Sequence, residues 1–238
     1  YVGAVVENKQ GKISPTWKTG FNAVIDAYLG EMPERFDYNG KSYTPRSYAD
    51  ELGLNMDDYI SITSYTHHPF YEKFVLEIPD NWLHMQSYNV PLDELMRIMD
   101  ESVMNGYTFA WGADVSEKGF AYREGLAILP EDESTIQVRG KDNQHFSDAG
   151  AEKISNAFDV PVQQKKVTQE MRQEGFDNWQ TTDDHGMQVT GIVKDQNGDK
   201  YYIVKNSWGT GHNNLDGYFF ASEAYVKLKT MNIFLHKD

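Results

Sequence analysis

Apolar positions recur along this chain with two periods. A helical spacing sets out Phe21, Val24, Ile25, Tyr28 and Leu29, with Gly30 placed to cap the C-terminus. The same period returns in residues 91–105. There Leu92, Leu95, Met96, Met99 and Val103 form one stripe, Asp93 and Glu94 sit at the positive end of the helix dipole, and Asn105-Gly106 stops the run. A methionine-rich stripe of this kind reads as core packing rather than as a binding face. Residues 44–53 predict a short helix with Pro45 in its first turn and Gly53 after its end, and residues 167–176 form one further amphipathic piece. Strand-like composition or alternation marks residues 58–65, 73–78, 107–113, 218–221 and 225–235.

The most explicit alternation lies further along. Met187, Val189, Gly191 and Val193 alternate with Gln188, Thr190, Ile192 and Lys194, and Tyr202, Val204 and Asn206 alternate in the same way. Between them stands Gln196-Asn197-Gly198-Asp199, whose Asn-Gly suits the positive φ angles of a tight turn, so residues 185–206 predict a β-hairpin. Asp195-x-Asn197-Gly198-Asp199 has half the look of a calcium loop, but the distant bidentate Glu is absent, and the turn reading stands.

Composition narrows the partners. With 238 residues, 39% hydrophobic and 13% aromatic, the chain can bury a real core. Its 22 basic against 36 acidic residues give a net charge of −14, which repels a phosphate backbone, so no nucleic-acid partner is expected. No apolar run approaches the ~20 residues of a membrane-spanning helix, so no membrane partner is expected either. The chain has no cysteine, hence neither disulfides nor thiolate metal sites. Adjacent His67 and His68 lack the three- or four-residue spacing of a helical metal pair and read as a surface loop, leaving no metal or cofactor expected. Residues 142–148 are polar enough for a mobile loop. Asp183 and Asp184 are neighbours, and neighbours on a strand point to opposite faces, a poor arrangement for sharing one proton.

If the hairpin pairs about its turn, the far ends of its arms meet, bringing His185 beside Asn206. The amide oxygen then accepts from one ring N–H, fixes the tautomer and leaves the other nitrogen for a reaction partner. Trp208, two residues on, is placed to cover that hydrogen bond, and Gly209, Gly211 and Gly217 let the backbone turn.

His185-Gly186-Met187, then Lys205-Asn206-Ser207-Trp208-Gly209 and Gly217-Tyr218, resemble the papain superfamily of cysteine peptidases. Residues 106–114 and 120–128 resemble that family's first barrel strand and the strand after it. The Asp-Asp-His-Gly-Met-x-x-Thr-Gly context, with a long insert before it, is most similar to the bleomycin hydrolase and aminopeptidase C branch. The resemblance implies an α+β, papain-like fold. Residues 1–90 would be a partial helical and linker segment, and residues 91–238 the antiparallel β-barrel half bearing His and Asn, with an insertion at about 130–180. It implies His185 as general base and ion-pair partner, Asn206 as its orienter and Trp208 as their shield.

The nucleophile of that family is a cysteine. About 130 residues before His185 lies Asn55, where nothing resembles the expected signature, even with Ser replacing Cys. Since the chain also starts at Tyr1, it is expected to be the C-terminal part of a longer polypeptide. An N-terminal segment or light chain would supply the catalytic Cys and the oxyanion Gln. The partners implied are that segment, a peptide substrate and, by analogy with the branch, further copies of the protein. Aminopeptidase-like hydrolysis is expected, with exopeptidase against endopeptidase action left open. The rival reading is a non-catalytic homologue used for binding or assembly. Retention of both His185 and Asn206 argues against it, since neither is needed for packing.

Overall fold

The computed structural model describes residues 16–139 and 152–238, so the start of the chain and the polar run 142–148 lie outside the described residues. Contacts divide the chain into two compact units, Tyr1–Met56 and Asp57–Asp238.

In the first unit, α1 (Thr16–Leu29) forms over the predicted stripe, yet none of its residues is buried. Strands β1 (Phe36–Tyr38) and β2 (Lys41–Tyr43) pair across Asn39-Gly40, both at positive φ, as a two-residue hairpin turn requires. Helix α2 (Pro45–Glu51) starts with a capping box: the Thr44 hydroxyl accepts from the Ser47 N–H, and the Ser47 hydroxyl accepts from the Thr44 N–H. The ring of Tyr48 packs edge-on against Phe36, Tyr38 and Tyr43.

The second unit runs β3 (Tyr59–Thr63), β4 (Lys73–Val75), β5 (Gln86–Asn89), α3 (Leu92–Met104), β6 (Phe109–Ala113), β7 (Phe120–Ala121), β8 (Leu126–Ala127), β9 (Gln137–Arg139) and β10 (Glu152–Ile154). It continues through α4 (Gln169–Asp177), β11 (His185–Lys194), β12 (Lys200–Lys205), β13 (Tyr218–Ser222), α5 (Glu223–Lys229) and β14 (Thr230–His236). Among the described residues, ten strands form one mostly antiparallel sheet in the order β4-β5-β3-β14-β6-β11-β12-β13-β8-β7. The class is α+β.

The sheet core gathers Trp111, Tyr202, Val204, Phe219 and Ile233 under α3, whose Leu92, Leu95, Met96 and Met99 are buried. Each such side chain contributes about 1.5–3 kcal/mol of burial. The Trp111 indole N–H donates to the Thr230 hydroxyl at 2.7 Å, so this large core residue leaves no polar group unmet.

Four details differ from the sequence expectation. The expected boundary after residue 90 falls inside the second unit, because β3 and β5 join the same sheet as the hairpin and β3 pairs with β14. Long-range strand pairing, invisible to local composition, decides this. Second, the alternation along β11 breaks at a bulge between Val189 and Gly191. Beyond it Ile192 packs on the core, while Val193 is 38% exposed, since one inserted residue exchanges the two faces. Third, the hairpin turn places only Gly198 at positive φ, with the Gly198 N–H donating to Asp195 O and the Asp195 side chain accepting from the Asn197 and Asp199 N–H groups. Fourth, residues 225–229 are helical rather than extended, because the Ser222 hydroxyl caps the Tyr225 N–H and starts a helix that opens with Glu223 and ends with Lys227 and Lys229.

Candidate active site

β11 begins at His185, paired opposite Ala113 of β6, and β12 ends at Lys205, so Asn206 leaves the sheet at the same end. The Asn206 N–H donates to Gly217 O at 3.0 Å. Gly217 has φ +81°, and a Cβ there would lie 2.6 Å from Gly209 O, so only glycine closes this loop onto the asparagine.

The side chains meet as the hairpin register requires. His185 Nε2 lies 2.8 Å from Asn206 Oδ1. The same oxygen accepts from the Ser207 N–H at 2.7 Å. A backbone N–H can only donate, which fixes the amide with its oxygen inward. His185 Nε2 therefore carries the proton, and Nδ1 is the nitrogen left to exchange one. Asn206 is buried, and its Nδ2 has no partner among the described residues.

Trp208 stacks on the imidazole, ring centroids 4.9 Å apart and planes 30° from parallel. Tyr122 and Phe120 meet the indole edge-on at 5.0 and 6.0 Å, so β7 and the turn after it hold the cover in place. All three residues singled out in the sequence are thus brought together.

The approach to His185 carries an acid pair, though not the one adjacent in sequence. The carboxyl groups of Asp114 and Asp184 share a hydrogen bond. Burial pushes Asp114 up to about 6, against the pull of the Lys229 ammonium, and the bond to Asp184 adds to the rise. Burial acts upward on Asp184 as well, but bonds from Asp114, Thr182, Ser116 and the Val115 N–H hold it below its ordinary value. Asp114 is the proton holder of the pair. Lys229, the buried last residue of α5, bonds Asp114, Glu117 and Gln180 O, tying the segment before β11 to the junction of α5 and β14. Asp183 is pushed up to about 6 by burial, with the charges of Asp80 and Asp184 adding to it. Nothing local in the sequence marks Asp114 or Lys229, because strand pairing alone brings Asp114 to Asp184 on one side and to Lys229 on the other. Among the described residues, ligand atoms close enough to hold a metal occur at His67, His68 and Glu77.

Residues 131–233, which contain His185, Asn206 and Trp208, match the family described as papain family cysteine protease. Aminopeptidase C of Streptococcus thermophilus is 23% identical, over 88% of this chain and 45% of the relative. Aminopeptidase C of Listeria innocua is 24% identical with the same coverage. The chain thus spans about half the length of the curated relatives it matches. The crystal structure of PepW from Lactobacillus rhamnosis superposes with a TM-score of 0.64 at 18% identity, over 93% of this chain and 47% of that one, and so shares the fold. Over residues 131–233 the chain is therefore similar to papain family cysteine proteases, and it shares its fold with PepW.

Proposed function

We propose that this chain is the histidine-bearing part of an aminopeptidase-like cysteine peptidase whose thiol comes from a segment outside it. One observation carries the reading: His185 Nε2 is committed to Asn206 beneath Trp208, so the ring is fixed with Nδ1 free to serve a nucleophile. The sequence offers no sulfhydryl of its own.

The chemistry follows from that one nitrogen. Nδ1 takes the thiol proton, giving a thiolate beside an imidazolium that Asn206 steadies through Nε2–H. The thiolate adds to the peptide carbonyl carbon. As the tetrahedral intermediate collapses, the C–N bond breaks and Nδ1–H protonates the leaving amine, giving a thioester. Nδ1 then takes a proton from water, whose oxygen attacks the thioester, and the carboxylic acid leaves as the thiol is restored. The Trp208 indole keeps water from competing for Asn206 Oδ1. Similarity to two aminopeptidases C supports a preference for substrates with a free α-amine.

The test uses the polypeptide that joins this chain to its thiol-bearing segment. It is expected to hydrolyse short aminoacyl amides, to act poorly on N-blocked ones and to be stopped by a thiol-directed epoxide. The 238-residue chain alone is expected to be inactive. Turnover by it alone would point to another nucleophile, such as Ser207, and would overturn the proposal.

A further inference from the structure

The loop after β3 brings two imidazoles onto one carboxylate. His67 Nε2 lies 3.1 Å from Glu77 Oε2, and His68 Nε2 lies 2.8 Å from Glu77 Oε1. Adjacent residues on a strand would diverge. Here the chain turns at 66–68, and Glu77 returns to the loop after β4. We propose that His67, His68 and Glu77 form a binding site for one divalent transition ion of the zinc class.

The donor set fits such an ion. Two neutral imidazole nitrogens and a carboxylate oxygen suit zinc, and a water completes a four-coordinate shell. Bonds of about 2.0–2.1 Å place tetrahedral ligand atoms roughly 3.3 Å apart. The ligand atoms of this trio all lie within 4.8 Å of one another, and its two His–Glu separations already fall near that spacing.

The trio is also held in advance. Phe176 of α4 stacks on His67 with planes 15° apart, and Phe74 of β4 stacks on His68 at 22°. The loop backbone hangs on one fully buried side chain. Asn89 Nδ2 donates to Tyr65 O, His68 O and Pro69 O, and Asn89 Oδ1 accepts from the Tyr65 N–H. Such support keeps ligands near a productive geometry before an ion arrives.

Gln173 supplies what the tautomer needs. Its Oε1 accepts from the Thr66 N–H at 2.6 Å and its Nε2 donates to Asp177 at 2.8 Å, which fixes the amide's orientation. His67 Nδ1 lies 3.1 Å from Gln173 Nε2 and 3.4 Å from Gln173 Oε1. Without an ion, Nδ1 accepts from the amide nitrogen and Nε2–H bonds Glu77. With an ion on Nε2, the proton sits on Nδ1 and faces the amide oxygen, the orientation expected of a metal-bound histidine. Glu77 also lines a cavity of about 820 Å³ whose walls include Asp183 and Asp184, so the ion would border the segment that leads into His185. The inference does not depend on the peptidase reading.

Calorimetric titration of chelator-treated protein with ZnCl2, in excess Mg2+ to occupy exposed carboxylates, tests the site. One ion per chain is expected, with Glu77→Gln and His68→Asn each weakening affinity at least tenfold and His212→Asn, an exposed histidine outside the trio, leaving it unchanged. Cobalt(II) in place of zinc should give a visible tetrahedral absorption band that Glu77→Gln removes. Should His68→Asn fail to fold, the half-exposed Glu77 carries the test alone. Absence of zinc binding, or equal affinity in Glu77→Gln, overturns the proposal and leaves a hydrogen-bonded trio only.

Discussion

His185 and His67 are both imidazoles with a carboxamide at one nitrogen, Asn206 in one case and Gln173 in the other. Each ring also lies against an aromatic neighbour, Trp208 or Phe176. They differ in what the second nitrogen meets. For His67 it is the Glu77 carboxylate, so the ring is engaged at both ends. For His185 the described residues provide no partner, and the ring is anchored at one end and open at the other. The same side-chain pairing therefore serves two purposes. A ring that must exchange protons needs a free nitrogen, while one that must hold a position, or an ion, gains from a second contact. The supporting elements differ as well: His185 stands at the start of a ten-residue strand, whereas His67 stands in a turn held by Asn89.

Substitutions separate the two. Replacing the open ring has the largest expected effect. In the polypeptide that carries the thiol, His185→Ala should lower kcat/KM by about 10³-fold or more, because proton transfer in both half-reactions is lost. Unchanged hydrolysis would end the assignment. Next comes the support of the engaged ring. Asn89→Ala strips four hydrogen bonds, two of them buried, from the 65–69 loop and should cost about 3 kcal/mol, read from urea unfolding. A loss below about 1 kcal/mol would show that the loop is held by other means.

The amide at the open ring is worth less than the ring itself. Asn206→Ala should reduce kcat by roughly 10- to 100-fold with KM little changed, since orientation rather than chemistry is lost. A change confined to KM would instead make Asn206 a substrate contact. The smallest effect lies beside the site. Burial pushes the Asp183 carboxyl up to about 6 in the folded chain, from an ordinary 3.8. Its contribution is complete below pH 4 and is lost as pH rises through 6. Asp183→Asn should therefore match the parent at pH 4 and exceed it by ~1 kcal/mol at pH 7.5, after allowance for solvent screening. An equal difference at both pH values would contradict this.

What could be read in advance follows from the range of the interactions. The His185 and Asn206 arms flank one short turn, so alternation plus a local motif was enough to pair them. The bulge at Thr190 left no mark on the alternation, because Gly191 and Ile192 suit either face. Residues 225–229 look like strand because Tyr225, Val226 and Leu228 favour extended chain, while the Ser222 cap that overrides them is one hydroxyl. Asp114 meets Asp184 only because β6 and β11 are neighbours in the sheet. Glu77 joins His67 and His68 through a turn whose shape is set by Asn89, a residue that in sequence looks like any strand end. Local chemistry was legible, and chemistry assembled across the sheet was not.

The position of β14 has a further consequence. The last strand of the described chain lies between β3 and β6, pairing Ile233 with both Ile62 and Trp111. During synthesis, then, β3 and β6 must wait with their facing edges bare until residues 230–236 have emerged. Pairings this distant in sequence slow folding and expose sticky edges meanwhile. Production of this protein should accordingly be limited by how well a cell shelters that unfinished sheet.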